Sequence, residues 1–328
     1  MAGCQSGYLL KQGLGQLRLK DDEVPLDSTE LSKRISASDS EKLRWVPRIL
    51  DFCRDGLGLE PGDSYTSYVD TRGKPVSYAV TAAHPLALIP FEWRFPFVGR
   101  VPYKGYFDED AAREEAERLT ARGFETRVVS VGAYSTLGWF RDPIFTSMLE
   151  GTLADLVDVI IHETTHRTRY FPGSVSFNES LATHIARQGT ERFLAAHDDL
   201  RADLPEYRAR RRAAMERETL LLRLRNDLDA LYRAPVEDGA KLRRKAELFA
   251  TASEAYRQLV GCADKASLPA TNAFVLSLSR YHEFEPLLAR LQESLGGDPA
   301  DLMKYLKELP RSINPVPAIE EILSQRGP

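Results

Sequence analysis

The sequence HETTH at residues 162–166 constrains this 328-residue chain more than any other stretch. Residues four positions apart lie on one face of an α-helix, so His162 and His166 can both bind one metal ion. Two neutral imidazoles suit zinc, and a carboxylate commonly completes a catalytic zinc site. Glu163 directly follows the first histidine, and we expect it to act as the general base that takes a proton from water at the metal.

An apolar pattern with helical period precedes this motif. Its members are Leu153, Leu156, Val157, Ile160 and Ile161. The pattern predicts that one face of the metal-binding helix is buried. Because Pro172-Gly173 cannot continue a helix, we expect this helix to end near Tyr170.

Glu179 is the candidate third metal ligand. Ser176 is expected to be the N-cap of a second helix, and Glu179 is then the third residue of that helix. Glu179 thus lies about one helical turn after the break at Pro172-Gly173. His166 lies about one turn before the break, so two antiparallel helices would bring the two side chains level. The competing interpretation is a capping box, S-x-x-E, in which Glu179 binds the backbone amide of Ser176 instead of a metal.

Several stretches together resemble the bacterial "predicted aminopeptidase" family of zinc metallopeptidases. They are HETTH, FNESLAT at 177–183, GAYSTLGWF at 132–140, YTSYV at 65–69, YKGYFD at 103–108, and Asn272-Ala273 followed by Tyr281-His282. The resemblance covers about residues 40–309. It implies a gluzincin-like enzyme whose zinc cofactor is held by His162, His166 and Glu179.

The expected fold class is α+β, with a zincin-like arrangement around the HExxH helix. Residues 1–62 are expected to form an N-terminal helical segment, and residues 63–150 a mixed α/β lobe with short strands. Residues 151–328 are expected to contain the metal-site helices and a mostly helical C-terminal lobe, with all three parts in one compact catalytic unit. In the last part the pattern predicts one helix from Asn272 to Leu295 and an irregular tail marked by Pro310, Pro315 and Pro317.

Three further residues are candidates for catalysis. Tyr134 lies in a segment with the composition of an edge strand that pairs with an extended substrate backbone; a buried strand with Tyr134 in the core is the alternative. Hydrolysis at a metal also needs a donor for the developing oxyanion. Gluzincins generally recruit a tyrosine or histidine from a later helix, so Tyr281 and His282 are candidates. Alternatively, Tyr281 belongs to the core and His282 to the surface.

Charge and hydropathy exclude some partners. The formal net charge is -4, which gives no reason to expect nucleic-acid binding. No apolar run reaches the roughly 18 residues that a membrane-spanning helix needs. The expected partner is a peptide or protein substrate.

The N-terminal residues Met-Ala-Gly-Cys resemble the end of a bacterial lipobox, with Met1 in place of its leucine. On this interpretation Cys4 is the lipidated first residue of the mature protein, and a signal peptide precedes it in the native form. We therefore expect a periplasm-facing lipoprotein of the cell envelope; an ordinary cytosolic N-terminus is the alternative. Cys53 and Cys262 are expected to remain separate buried thiols, although they could pair in an oxidising compartment.

The expected function is zinc-dependent hydrolysis of peptide bonds in the manner of an aminopeptidase. The exopeptidase motif G-x-M-E-N is absent, and the sequence does not identify an acid for a substrate α-amine. A zinc endopeptidase with a narrow cell-envelope substrate is therefore an alternative. A second is a non-catalytic, zinc-stabilised, lipid-anchored binding protein, although a structural zinc site needs no base such as Glu163.

Overall fold

The computed structural model describes residues 22–95, 99–132, 141–261 and 268–326. The strands are β1 (Val24–Pro25), β2 (Ser67–Val69), β3 (Ser77–Ala83), β4 (Trp93–Phe95), β5 (Gly99–Val101), β6 (Lys104–Tyr106), β7 (Glu125–Val131) and β8 (Ile144–Phe145). The helices are α1 (Leu31–Arg34), α2 (Ala37–Asp51), α3 (Glu109–Thr120), α4 (Leu153–Thr168), α5 (Val175–Ala196), α6 (Leu204–Arg233), α7 (Asp238–Val260), α8 (Asn272–Ser279), α9 (Glu285–Ser294), α10 (Pro299–Glu308) and α11 (Pro315–Arg326). Three residues with sequence-based predictions, Cys4, Tyr134 and Cys262, lie outside the described residues.

The described strands form small sheets. β2 pairs with β1 in the antiparallel sense and with β8 in the parallel sense. β3 pairs with both β6 and β7 in the antiparallel sense, and β4 pairs with β5. Small sheets combined with many helices confirm the α+β class. Within the described ranges, none of the helices is both long and apolar enough to cross a bilayer.

Helix α4 begins with a capping box, in which the Thr152 hydroxyl accepts a hydrogen bond from the Asp155 amide and the Asp155 carboxylate accepts one from the Thr152 amide. Its apolar face is buried as predicted: Leu156, Val157, Ile160 and Ile161 are inaccessible to solvent. The helix ends at Thr168, close to the expected position, and it packs against α5 in the largest hydrophobic core.

The predicted start of α5 was wrong. Ser174, not Ser176, occupies the N-cap position, and the helix begins at Val175. The turn before it is tight, since the Ser174 amide donates to the Phe171 carbonyl and Gly173 has a φ of 80°. Only glycine adopts that backbone conformation without strain, so the chain can re-enter a helix immediately after Gly173.

Two predictions for the C-terminal part were also wrong. The expected single helix is two helices, because α8 ends at Ser279 and α9 begins at Glu285. Pro286 lacks an amide hydrogen, and its ring would clash with the carbonyl of His282 in a continuous helix. The expected irregular tail contains α11; Pro315 is the first residue of this helix, where a missing amide hydrogen costs nothing.

Candidate metal centre

Helices α4 and α5 bring the three predicted metal ligands together. The Nε2 atoms of His162 and His166 are 3.2 Å apart, and Glu179 Oε2 lies 3.5 Å from each of them. A tetrahedral zinc ion with bonds of about 2.0–2.1 Å separates its ligand atoms by about 3.4 Å. The side chains therefore fit zinc, and three protein ligands are the number found in catalytic sites, where water or substrate takes the fourth position.

The charge state of Glu179 suits a metal ligand. Burial would raise the pKa of its carboxyl, but the charge of His166 and the hydrogen bonds from both histidines hold that pKa well below its usual value. The carboxylate faces the imidazoles, and Ser176 lies inside α5 rather than at its N-cap. The capping-box interpretation of Glu179 is therefore excluded.

A buried amide holds the turn between the two metal-site helices. The Asn178 side chain accepts a hydrogen bond from the Phe171 amide and donates one to the Phe171 carbonyl, both at 2.9 Å. Asn178 is buried, so these bonds satisfy backbone groups that water cannot reach. They fix the position of Glu179, the next residue, relative to α4.

Ser180 connects α5 to the segment between α8 and α9. Its hydroxyl donates to the Arg280 carbonyl at 2.9 Å and accepts from the Phe284 amide at 3.2 Å. This segment carries Tyr281, whose ring centroid lies 6.3 Å from that of His162. The break in the predicted helix thus places a tyrosine beside the metal ligands.

Tyr281 and His282 face different surroundings. The negative charge of Glu179, followed by burial, raises the pKa of Tyr281, so its hydroxyl keeps its proton and can donate a hydrogen bond. His282 instead directs Nδ1 toward Glu218 Oε2, 3.4 Å away on α6. Burial lowers the pKa of His282 although Glu218 opposes the shift. Of the two candidates, Tyr281 is the one beside the metal ligands.

Glu163 is half-buried and lies within electrostatic reach of two tyrosines. Its charge contributes to the raised pKa of Tyr281, although less than Glu179 and burial do. It also contributes to the raised pKa of Tyr65, where burial is the main cause. The charge of the general base predicted from the sequence therefore acts on the hydroxyl of the candidate oxyanion donor.

Comparison with models of protein families identifies the family of this chain. The model of the family described as "Putative aminopeptidase" matches residues 7–315. The chain belongs to this family. The match agrees with the resemblance that the motifs carry, and the family description supports a peptidase. No curated protein and no solved structure matches the chain.

Two tyrosines of this aminopeptidase-family chain surround the centre without having been predicted to do so. Burial raises the pKa of Tyr103, and the charge of Glu179 adds to that effect. The Tyr170 ring centroid lies 6.3 Å from that of His166, and burial with the charge of Glu179 raises the pKa of Tyr170 to about 12. Tyr103 belongs to the YKGYFD stretch, so the resemblance marked its neighbourhood without assigning it a role.

Asp158 was not predicted to belong to the site, although its spacing from His162 in the sequence indicates that it lies nearby. It lies four residues before His162 and thus on the same face of α4. Burial raises the pKa of Asp158, and the charge of His162 is the first of the effects that oppose the shift. The Asp158 carboxylate accepts a hydrogen bond from the Tyr207 hydroxyl at 3.3 Å.

Proposed function

We propose that this chain is a zinc-dependent, gluzincin-like peptidase that hydrolyses peptide bonds, with aminopeptidase activity as the expected form. The observation that carries the proposal is the cluster of His162, His166 and Glu179, with Glu163 directly after the first ligand. Membership in the aminopeptidase family supports the peptidase class.

Glu163 and Tyr281 each have one role in the proposed hydrolysis. A bound zinc ion supplies Lewis acidity, which polarises a carbonyl and makes water more acidic. Glu163 takes a proton from the attacking water and later delivers it to the leaving amine. Tyr281 donates its O–H to the oxygen of the scissile carbonyl as negative charge develops there.

The first test is the zinc content of the wild type beside Glu179→Ala and Ser176→Ala, measured by elemental mass spectrometry. We expect one zinc per chain in the wild type and in Ser176→Ala, and a loss of zinc in Glu179→Ala. Zinc retained in Glu179→Ala would move the third ligand elsewhere. A wild type that binds no zinc after reconstitution would overturn the proposal and favour the non-catalytic binding protein.

Peptides with a free or an acetylated N-terminus separate the two peptidase forms. An aminopeptidase cleaves the first set only, from the N-terminal end, which we expect here. Internal cleavage of both sets would favour the zinc endopeptidase.

We also propose a cell-envelope lipoprotein anchored through Cys4. Radiolabelled fatty acid should be incorporated into the native gene product and not into its Cys4→Ser variant. Equal labelling of both would refute the anchor.

A further inference from the structure

Two arginines beside Tyr281 have no acidic partner among the described residues. Arg127, on β7, donates from Nη1 to Ser277 Oγ at 2.6 Å, and its guanidinium lies 5.0 Å from the Phe274 ring centroid. Arg280 is only 7% exposed, and its guanidinium lies 5.5 Å from the Tyr103 ring centroid. Arg280 Nε also donates to the Leu276 carbonyl at 3.5 Å, and Arg127 is half-buried. Because charges removed from water are normally paired, these two guanidinium groups favour an anionic ligand at this place.

The two arginines also repel each other. Burial lowers the pKa of Arg127, and the positive charge of Arg280 lowers it further, whereas Tyr281 opposes the shift. The two like charges are unfavourable for each other, and a bound group of opposite charge would relieve the repulsion.

A cavity of about 370 Å³ lies next to this pair. Arg127 lines it together with the apolar side chains of Leu221, Phe274 and Leu278. Ser279 and His282, which flank Arg280 and Tyr281 in the sequence, also line it. The cavity thus adjoins the segment that places Tyr281 beside the metal ligands.

The acid in the lining is already engaged. Glu218 Oε1 forms a salt bridge of 2.5 Å with Arg187, and Glu218 Oε2 lies 3.4 Å from His282. Arg217 adds another cation to the lining. The cavity therefore combines apolar walls with an excess of positive charge, which suits a carboxylate on an apolar group and disfavours a free amine.

We propose that this cavity is a substrate subsite that binds a carboxylate through Arg127, while Arg280 reinforces the positive potential. The inference rests on the proposed function, since it names the class of peptide that the same site takes: peptides that carry a carboxylate near the scissile bond. The carboxylate belongs either to the C-terminus of a short peptide or to an Asp or Glu side chain.

Calorimetric binding to the zinc-reconstituted Glu163→Gln chain tests the subsite without requiring turnover. One pair of probes is Ala-Ala-Leu with a free C-terminal carboxylate and its C-terminal amide. The other pair is Ala-Glu-Ala and Ala-Gln-Ala, both as C-terminal amides. We expect the carboxylate to strengthen binding by about tenfold or more in one pair, since charge-assisted bidentate hydrogen bonds to arginine are strong. The pair that responds identifies the source of the carboxylate.

Adding Arg127→Gln should abolish this preference, and Arg127→Lys should keep part of it because the charge remains. Arg122→Gln is the matched control, because the Arg122 guanidinium also lies over aromatic rings, 5.2 Å from Phe91 and 5.5 Å from Phe124, at an exposed position. Unchanged zinc content in Arg127→Gln would show that the fold and the metal centre are intact.

Equal affinity for the two peptides of each pair would overturn the subsite. It would also be overturned if Arg122→Gln reduced the carboxylate preference as much as Arg127→Gln does. The two proposals fail in different ways. A carboxylate preference in a chain that binds no zinc and cleaves no peptide would refute the peptidase and keep the subsite. Zinc binding and peptide cleavage without any carboxylate preference would refute the subsite and keep the peptidase.

Discussion

Three consecutive residues near the start of α5 each contact a different part of the candidate centre. Asn178 holds the turn after α4, Glu179 faces the histidines, and Ser180 binds the backbone around Tyr281. Successive residues of a helix point in directions about 100° apart, so one short stretch can reach three neighbours. The FNES sequence at residues 177–180 therefore contains the candidate metal ligand, Glu179, and the two neighbours that hold it in position, Asn178 and Ser180.

Replacing Glu163 by Gln removes the proposed base while it keeps the shape of the side chain. We expect zinc content to stay at one per chain and kcat to fall by about 10²- to 10⁴-fold, the usual contribution of general acid–base catalysis. The measurement is peptide turnover beside zinc content, with the exposed Glu150→Gln as the control. Wild-type turnover in Glu163→Gln would remove this residue from the mechanism.

Tyr281→Phe removes only a hydroxyl. If that hydroxyl donates to the developing oxyanion, kcat should fall by about 10²- to 10³-fold with little change in KM or zinc content. Tyr103→Phe is the informative comparison, because Tyr103 is also half-buried and the charge of Glu179 also raises its pKa. A large loss in Tyr103→Phe with normal kinetics in Tyr281→Phe would transfer the role to Tyr103.

At the scale of elements, the α4–α5 hairpin determines whether the centre forms. Its two helices were predictable, because the apolar pattern before HETTH and the turn residues Pro172-Gly173 are local signals. The start of α5 was misjudged by two residues because Ser176 looked like a cap, whereas the turn geometry at Gly173 decides the boundary. Likewise, Pro286 explains why α8 and α9 are separate helices, although it was not used as a signal.

Asn178→Ala tests the hairpin. It removes two hydrogen bonds and leaves the buried amide and carbonyl of Phe171 without these partners, which should cost about 2–4 kcal/mol of unfolding free energy. Zinc affinity should fall as well, since Glu179 loses its fixed position. Urea denaturation and zinc titration measure the two effects, with Asn226→Ala on the exposed surface of α6 as the control. Unchanged zinc affinity would show that Asn178 serves the fold alone.

At the scale of the whole molecule, distant segments meet at positions that no local pattern reveals. Arg127 and Ser277 are 150 residues apart in the sequence but share a hydrogen bond, and Ser180 reaches Arg280 across 100 residues. The proximity of His162 and His166 was predictable because helical spacing alone places them on one face. The cavity beside Arg127 was not predictable, since it depends on how β7, α6 and α8 pack.

The candidate metal centre lies on two helices of the largest core, so zinc bound there as proposed should stabilise the whole fold. A ligand that binds only the native state adds RT ln(1 + [L]/Kd), which is about 4 kcal/mol when zinc is a thousandfold above its Kd. For a chain of 328 residues, that amount corresponds to an increase in Tm of roughly 6 °C. Scanning calorimetry with and without EDTA should show this difference in the wild type and a much smaller one in Glu179→Ala. EDTA already saturated with zinc is the control for effects of the chelator itself, and it should leave the wild-type Tm unchanged. A zinc-loaded wild type whose Tm does not respond to EDTA would place its metal outside the α4–α5 core.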